Sequence, residues 1–357
     1  MGQAAPRGID VPVDRAAAVW QGIDYCYEAG WSDGLPVVPP AEGLVTDALA
    51  EVGWDPGEVV LTEPVRGREV TAEKVAANAV MAGCLPAYLP VVRAALEAMS
   101  ATDFHLHGPA TSTGGATPLV IVNGPVRDRL GMNYRDNLFG PGNRPNATIG
   151  RAVRLVFLNC LSARPGILDR STQGSFGKYS GCFAEHEAAS PWEPLSVSRG
   201  APEGASAVTV FAAESPHNIL CHGTAVPEQV LTIAADTMAA MGSFSPGQSV
   251  LVLSPEHAGF LATARWSRRD VQEFLYAHAR RRLSDLKAAG KLEGAGPPAP
   301  GDDEEWVHRG TGPDDILVLV GGGDAGGHSA FFPSWSRGRS SLAVTRVIAA
   351  TREEVRR

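Results

Sequence analysis

Apolar and polar positions recur along this chain with two periods, one helical and one extended, and the changes between them divide it into elements. The spacing predicts a first helix from Asp14, its N-cap, to about Glu28, closed by Gly30. The run Trp31–Pro40 predicts a turn, a short edge strand and a stop, because proline cannot donate within a ladder. Thr71 caps a helix reaching about Met81, and Pro86 opens another that reaches Met99. Thr102–His107 and Pro118–Asn123 read as strands. A long Gly/Asn/Pro loop then leads to a helix from about Thr148 to Leu161.

The second half alternates strand and helix more plainly. Ala207–Ala212 is a β-rich run, Pro227–Met241 a helix and Ser249–Leu253 another apolar run, which predicts a βαβ unit with a right-handed crossover. Ser267 caps a helix through about Leu286 that carries the basic cluster Arg268, Arg269 and Arg280–Arg282. Gly294–Glu305, rich in Pro, Gly and acid, reads as a surface linker. Asp315–Val320 is a last apolar strand, and Leu342–Ile348 closes the sheet. No internal repeat is visible. The expected fold is α/β, with a mostly parallel, Rossmann-like sheet in the C-terminal half and a helical N-terminal layer. Two lobes are expected, residues 1–165 and 166–357.

Composition narrows the class. The chain has 357 residues, 44% hydrophobic and 20% charged, which excludes disorder of the whole chain. A net charge of −8 argues against nucleic acid as a partner, since phosphate neutralisation needs clustered Lys and Arg. The opening residues have no apolar targeting segment, and the most apolar stretch, Asn78–Leu96, is broken by Gly83, Pro86, Pro90 and Arg93. Five cysteines at irregular spacing fit reduced thiols better than a disulfide framework. A cytoplasmic protein with no membrane partner is the expectation.

Candidate chemistry gathers where apolar runs end. Val208–Phe211 leads to Glu214 and His217, Val250–Leu253 to Glu256 and His257, and Ile316–Val320 to Asp324 and His328, while Leu119–Val122 ends at Asn123. Ligands of open parallel sheets bind outside the carboxyl ends of the strands, so these carboxylate–histidine pairs are expected at one edge as proton-moving groups. The alternative is that they are ordinary polar loop residues.

Backbone anion recognition is expected at the hydroxyl- and glycine-rich loop around Thr113 and Gly114. It is expected again at Asn143, Arg144 and Asn146, which precede a helix carrying Arg151 and Arg154. Gly321–Gly327 departs from the dinucleotide fingerprint, so NAD is not expected. His217, Cys221 and His222, with Cys182 and His186, have spacings that permit one zinc or iron ion without requiring it. Cys84, ahead of the helix opened by Pro86, is a candidate nucleophilic or redox thiolate, or else a packed core residue. Lys178 and Tyr179 are candidate substrate-binding or acid/base groups. No Gly-x-Ser-x-Gly elbow, P-loop or kinase set is present.

Taken together, Asp33–Pro40, Met81–Pro86, Gly140–Asn143 and Ser254–His257 resemble a bacterial family associated, as neighbours or fusions, with proteins carrying a UGSC (seleno)cysteine motif. This chain has no Cys-Gly-Ser-Cys, so the resemblance implies a thiol or selenol on a separate subunit and a hetero-oligomeric enzyme. It implies no catalytic residue here. The residues themselves point to an enzyme acting on a small carboxylate or phosphate, by lyase-type proton abstraction beside a carbonyl or by thiol-linked redox chemistry. The alternative is a non-catalytic subunit, and a homo-oligomer is compatible with either.

Overall fold

The computed structural model describes residues 13–349 apart from 242–243, 245–246, 293, 337 and 339. Its strands, in chain order, are β1 (Val59–Glu63), β2 (Arg68–Thr71), β3 (Thr117–Asn123), β4 (Cys182–Ala184), β5 (Ala207–Ala213), β6 (His217–Leu220), β7 (Ser249–Leu253), β8 (Arg280–Arg282), β9 (Trp306–His308), β10 (Ile316–Val320), β11 (His328–Phe332) and β12 (Val344–Val347). Two four-stranded sheets dominate, in the orders β12-β5-β3-β4 and β10-β7-β11-β6. Only β3 with β4 and β7 with β10 are parallel; the other pairs in these sheets are antiparallel. The sheets are therefore mixed, and the expected Rossmann-like parallel sheet is not what forms.

Side-chain alternation shows how the sheets stack. In β3, Val120 and Val122 pack into the core beneath the N-terminal helices, while Leu119 and Ile121 join a second cluster. That second cluster also takes Val250 and Val252 of β7, Leu317 and Leu319 of β10 and Phe332 of β11. The opposite residues of those strands, Leu251, Val318 and Phe331, pack against Leu231, Met238, Leu261 and Leu275 from the helices Pro227–Ala240, Pro255–Thr263 and Arg268–His278. The order of layers is helices, sheet, sheet, helices. A strand with both faces buried reads as a continuous apolar run whatever covers it. Here a second sheet covers the inner face, where the sequence pattern suggested a helix.

Other corrections follow from this stacking. β5 and β7 lie in different sheets, so the helix between them does not complete a βαβ unit. The first sheet takes strands from both sides of residue 165, so a boundary there does not separate the sheets. Arg280–Arg282 form β8, paired with β9, and not the continuation of a helix. Arg280 and Arg282 stack on the Trp306 ring across that pair. Thr102–His107 is not a strand, because His105 turns the chain with a positive φ of 54°. No strand forms within residues 31–40.

The helices Ala72–Ala82 and Leu89–Met99, with the turn Pro86–Tyr88, hold the most apolar stretch, and both are largely buried. Among the described residues no single helix is long and apolar enough to cross a membrane.

Candidate functional site

Two of the three carboxylate–histidine pairs share one end of the second sheet, and the third lies at the other. β6 runs antiparallel to β11, with Leu220 opposite His328 and His217 opposite Phe331. His217 is therefore three residues, about 10 Å, from the end where His328 stands. Glu214 and His217 lie at one edge of the second sheet; Glu256, His257, Asp324 and His328 lie at the other.

At that other edge His257 is 1% exposed, with Nδ1 2.7 Å from Ser329 Oγ and Nε2 3.0 Å from the Cys221 carbonyl. A carbonyl can only accept, so Nε2 carries the proton and Nδ1 accepts from the serine. Both ring nitrogens are thus committed to packing. His328 is exposed, 3.2 Å from Asn218 Oδ1, and its ring meets His222 edge-on at 5.1 Å. Gly326 and Gly327, both at positive φ, lie so close to the Glu256 carboxylate and the His222 ring that a Cβ would come within 2.3 Å of either. The other metal candidates are dispersed. Cys182 begins β4, His186 follows its end, and Cys221 is buried. Among the described residues, no group of three or more His, Cys, Asp or Glu side chains is arranged to hold a metal ion.

The expected anion loop spends its polar groups on the protein. Asn143 caps the helix Arg144–Asn159 by accepting from Asn146 N, and its amide donates to Gly131 O. Asn146 exchanges two hydrogen bonds with the Asn133 backbone. Arg144 donates twice to Gly83 O, at 3.0 and 2.9 Å, and so closes the end of the helix Ala72–Ala82. Arg151 grips Asp33 through two hydrogen bonds. Asn123 is also occupied, donating to Glu185 and Glu187.

Cys84 follows the left-handed Gly83 at the end of the helix Ala72–Ala82, where the dipole is negative, and lies two residues ahead of the short turn Pro86–Tyr88. Its thiol donates to Thr148 O at 3.3 Å. Burial pushes it up to about 12, overriding that bond and the charges of Arg144 and Arg151. Iodoacetamide at pH 8.5 should therefore leave Cys84 unmodified in the folded protein and alkylate it after unfolding. Rapid labelling of native Cys84, read by peptide mass spectrometry, would restore the thiolate reading.

A different constellation does form, where the helix Arg144–Asn159 meets the turn Phe176–Lys178. Lys178 Nζ is 2.6 Å from Asp169 Oδ2 and 2.5 Å from Ser171 Oγ. Ser171 Oγ also stands 2.5 Å from Asp169 Oδ1 and 2.8 Å from Gly114 O. Arg154 donates through Nε to Lys178 O, and its Nη2 is 3.9 Å from Asp169. Among the described residues that Nε bond is the only hydrogen bond of the Arg154 side chain. The Arg154, Lys178 and Asp169 side chains are 8%, 15% and 11% exposed.

Two cations thus face one carboxylate in a half-dry place. Burial lowers Arg154 to about 10 against the pull of Asp169. Burial also lowers Lys178, and Arg154 adds to this, while Asp169 opposes it. For Asp169, burial raises the carboxyl, but the hydrogen bonds from Lys178 and Ser171 outweigh it and hold it below the usual range. Thr113 accepts from Thr172 N through its carbonyl, and Gly114 receives Ser171, so the expected Thr113–Gly114 loop does border this cluster. Tyr179 is half exposed beside it.

A cavity of about 280 Å³ is lined by Ser175, Phe176 and Gly177 together with Leu119, Phe183 and Phe332, and its lining does not include Arg154, Asp169 or Lys178. It lies at the amino-terminal ends of β3 and β4, opposite to the edge the strand grammar favours. Asp169, Ser171, Ser175 and Ser215 carry no spacing that marks them; only the density of small polar residues from 169 to 181 hints at a shaped loop.

No protein-family model, curated protein or solved structure matches this chain.

Proposed function

We propose that this chain is an enzyme acting on a small carboxylated or phosphorylated molecule, with the anion received by Arg154 and Lys178 and a proton moved by Lys178. The observation that carries the reading is the Arg154 side chain, 8% exposed, whose terminal nitrogens have no hydrogen-bond partner among the described residues beyond the 3.9 Å ion pair with Asp169 and so remain open to solvent. Donors held only by water can exchange it for an anionic ligand.

Lys178 fits the proton-handling role because burial and Arg154 shift it toward the neutral form that a base needs. Ser171 and Asp169 hold the amine in place, and the proton taken from the substrate stays on Nζ, where the Asp169 carboxylate balances its charge. Lyase-type proton abstraction beside a carbonyl is the reaction class this supports.

Arg154→Met should weaken binding of inorganic phosphate or acetate by about ten- to a hundredfold, the loss of one charge-assisted contact. Lys178→Met should lower turnover by roughly a hundredfold or more once a substrate is in hand. Calorimetry on the wild-type chain that shows no saturable binding of either anion, or equal binding by Arg154→Met, refutes the reading.

A second reading, a subunit of a larger assembly, is favoured by the helix Val13–Glu28. Val19, Trp20 and Tyr25 on it are about 60% exposed, and Leu35, Val38 and Leu44 are exposed as well.

A further inference from the structure

We infer that the cavity lined by Leu119, Phe183 and Phe332, between the two four-stranded sheets, is a binding site for a small uncharged aromatic molecule bearing a hydroxyl group. The site is separate from the cation cluster and does not depend on the anion-binding reading above. The helix Arg144–Asn159 packs through Val153 and Val156 with Val120 and Val122 on the outer face of the first sheet. Leu119 and Phe183 belong to the inner face, where the cavity lies.

The walls are aromatic and already in place. Phe183 and Phe332 are 1% and 4% exposed, held in the core between the sheets, and their rings stack at 6.4 Å. Phe139 meets them edge-on, at 5.2 and 5.3 Å, yet remains 48% exposed. Phe176, at the lining, is 92% exposed. Rings left in water beside an apolar cavity gain burial from a ligand that fills it, and a ring against a ring gains more than an aliphatic partner does. An apolar cavity of about 150 Å³ holds benzene. At about 280 Å³ this one has room for a ring with a short substituent.

Charge is disfavoured. Among the described lining residues Glu214 is the only carboxylate, and no Lys or Arg is present. Its charge opposes an anion, and it already attracts Arg309, so it does not call for a cation from the ligand. Burial pushes the Cys182 thiol up, so that it adds no charge.

The polar requirement is for a hydroxyl. Thr117 shares the inner face of β3 with Leu119, lines the cavity and is 4% exposed. Its Oγ1 has no hydrogen-bond partner among the described residues. Packing alone would be met by valine, which has the same shape without the cost of an unpaired hydroxyl. A ligand hydroxyl, met by a turn about the threonine Cα–Cβ bond, supplies the partner. Ser175 and Ser215, also at the lining, bond each other at 2.9 Å, and one of their two hydroxyl protons is left to donate.

Phenol, cyclohexanol, toluene and benzoate at pH 7 separate these features, with affinities measured by calorimetry. Phenol should bind saturably, several-fold tighter than cyclohexanol and at least about tenfold tighter than benzoate, which is charged. Phe176→Ala and Phe139→Ala, both at exposed rings and checked for folding by circular dichroism, should each weaken phenol several-fold and leave inorganic phosphate unchanged. Thr117→Val should weaken phenol several-fold, leave toluene unchanged and keep or raise the melting temperature. Phenol binding that is absent, no tighter than benzoate, unaffected by both phenylalanine variants or unaffected by Thr117→Val overturns the inference. Arg154→Met should leave phenol binding unchanged, so the cavity and the anion reading can each fail without the other.

Discussion

Glu185→Gln should raise stability above pH 7 and flatten its decline between pH 4.5 and 8. Glu185 is fully buried just past the end of β4. Its Oε2 accepts from Asn123 Nδ2 at 2.6 Å and Leu195 N at 2.8 Å, while Oε1 has no partner among the described residues. Asn123 Oδ1, on the neighbouring strand end, also lacks one. Burial pushes the carboxyl up to about 7, against those two hydrogen bonds and the charge of Arg268; Glu187 adds to the rise.

The folded value thus lies above the ordinary 4.5 of the unfolded chain. Between the two, the folded protein holds a proton that the unfolded chain has lost. This contribution is complete below pH 4.5 and disappears as pH climbs through 7. A shift of that size is worth about 3 kcal/mol. Glutamine keeps one oxygen for both donors and puts an N–H where Oε1 stood unpaired. Urea midpoints of the two proteins across this pH range provide the measurement. Parallel curves would mean that Glu185 does not titrate there.

Gly124→Ala is expected to cost about 3 kcal/mol or more. Gly124 follows β3 at φ 83°, and an added Cβ would lie 2.3 Å from Ala205 O and 2.7 Å from Ser206 Cα. Both are backbone atoms at the entry to β5, so no rotamer change relieves the contact. The glycine also donates to Glu187 Oε1 and accepts from Arg127 Nε, so displacing it disturbs the charged cluster under the strand ends. Gly131→Ala is the control, since its φ of 63° is equally left-handed but nothing lies within 4 Å. That variant should cost only about 1 kcal/mol. Equal losses in the two denaturation curves would show that the close approach at Gly124 contributes nothing.

The anion-loop residues show why local pattern alone misplaced the site. Gly140–Thr148 has the composition of a phosphate cradle, and the same composition serves to cap a helix. Arg144 went to a carbonyl 61 residues away in the chain and Arg151 to an aspartate 118 away. Those partners could not be read from their neighbours. Arg154, one turn further along the same helix, kept its terminal nitrogens without a hydrogen bond among the described residues, held only by the longer ion pair with Asp169. That difference depends on which side of the helix Asp169 and Lys178 approach.

By itself the sequence determined much of the element boundaries. Proline, glycine and capping residues act within a few positions, so the first helix, β3, β5, β7 and β10 and the helix after Val226 lie where their spacing predicts. It also showed those strands as apolar or β-rich runs. What covers each face was decided only in the tertiary structure. A Val/Leu run is equally apolar beneath a helix or a second sheet, and strand direction is fixed by pairing between distant residues. The folded chain therefore sent His217 and His328 to opposite edges of one sheet. It brought Lys178, Ser171, Asp169 and Arg154, which no motif links, within hydrogen-bonding and ion-pair reach, because proximity in a core is set by packing and not by spacing.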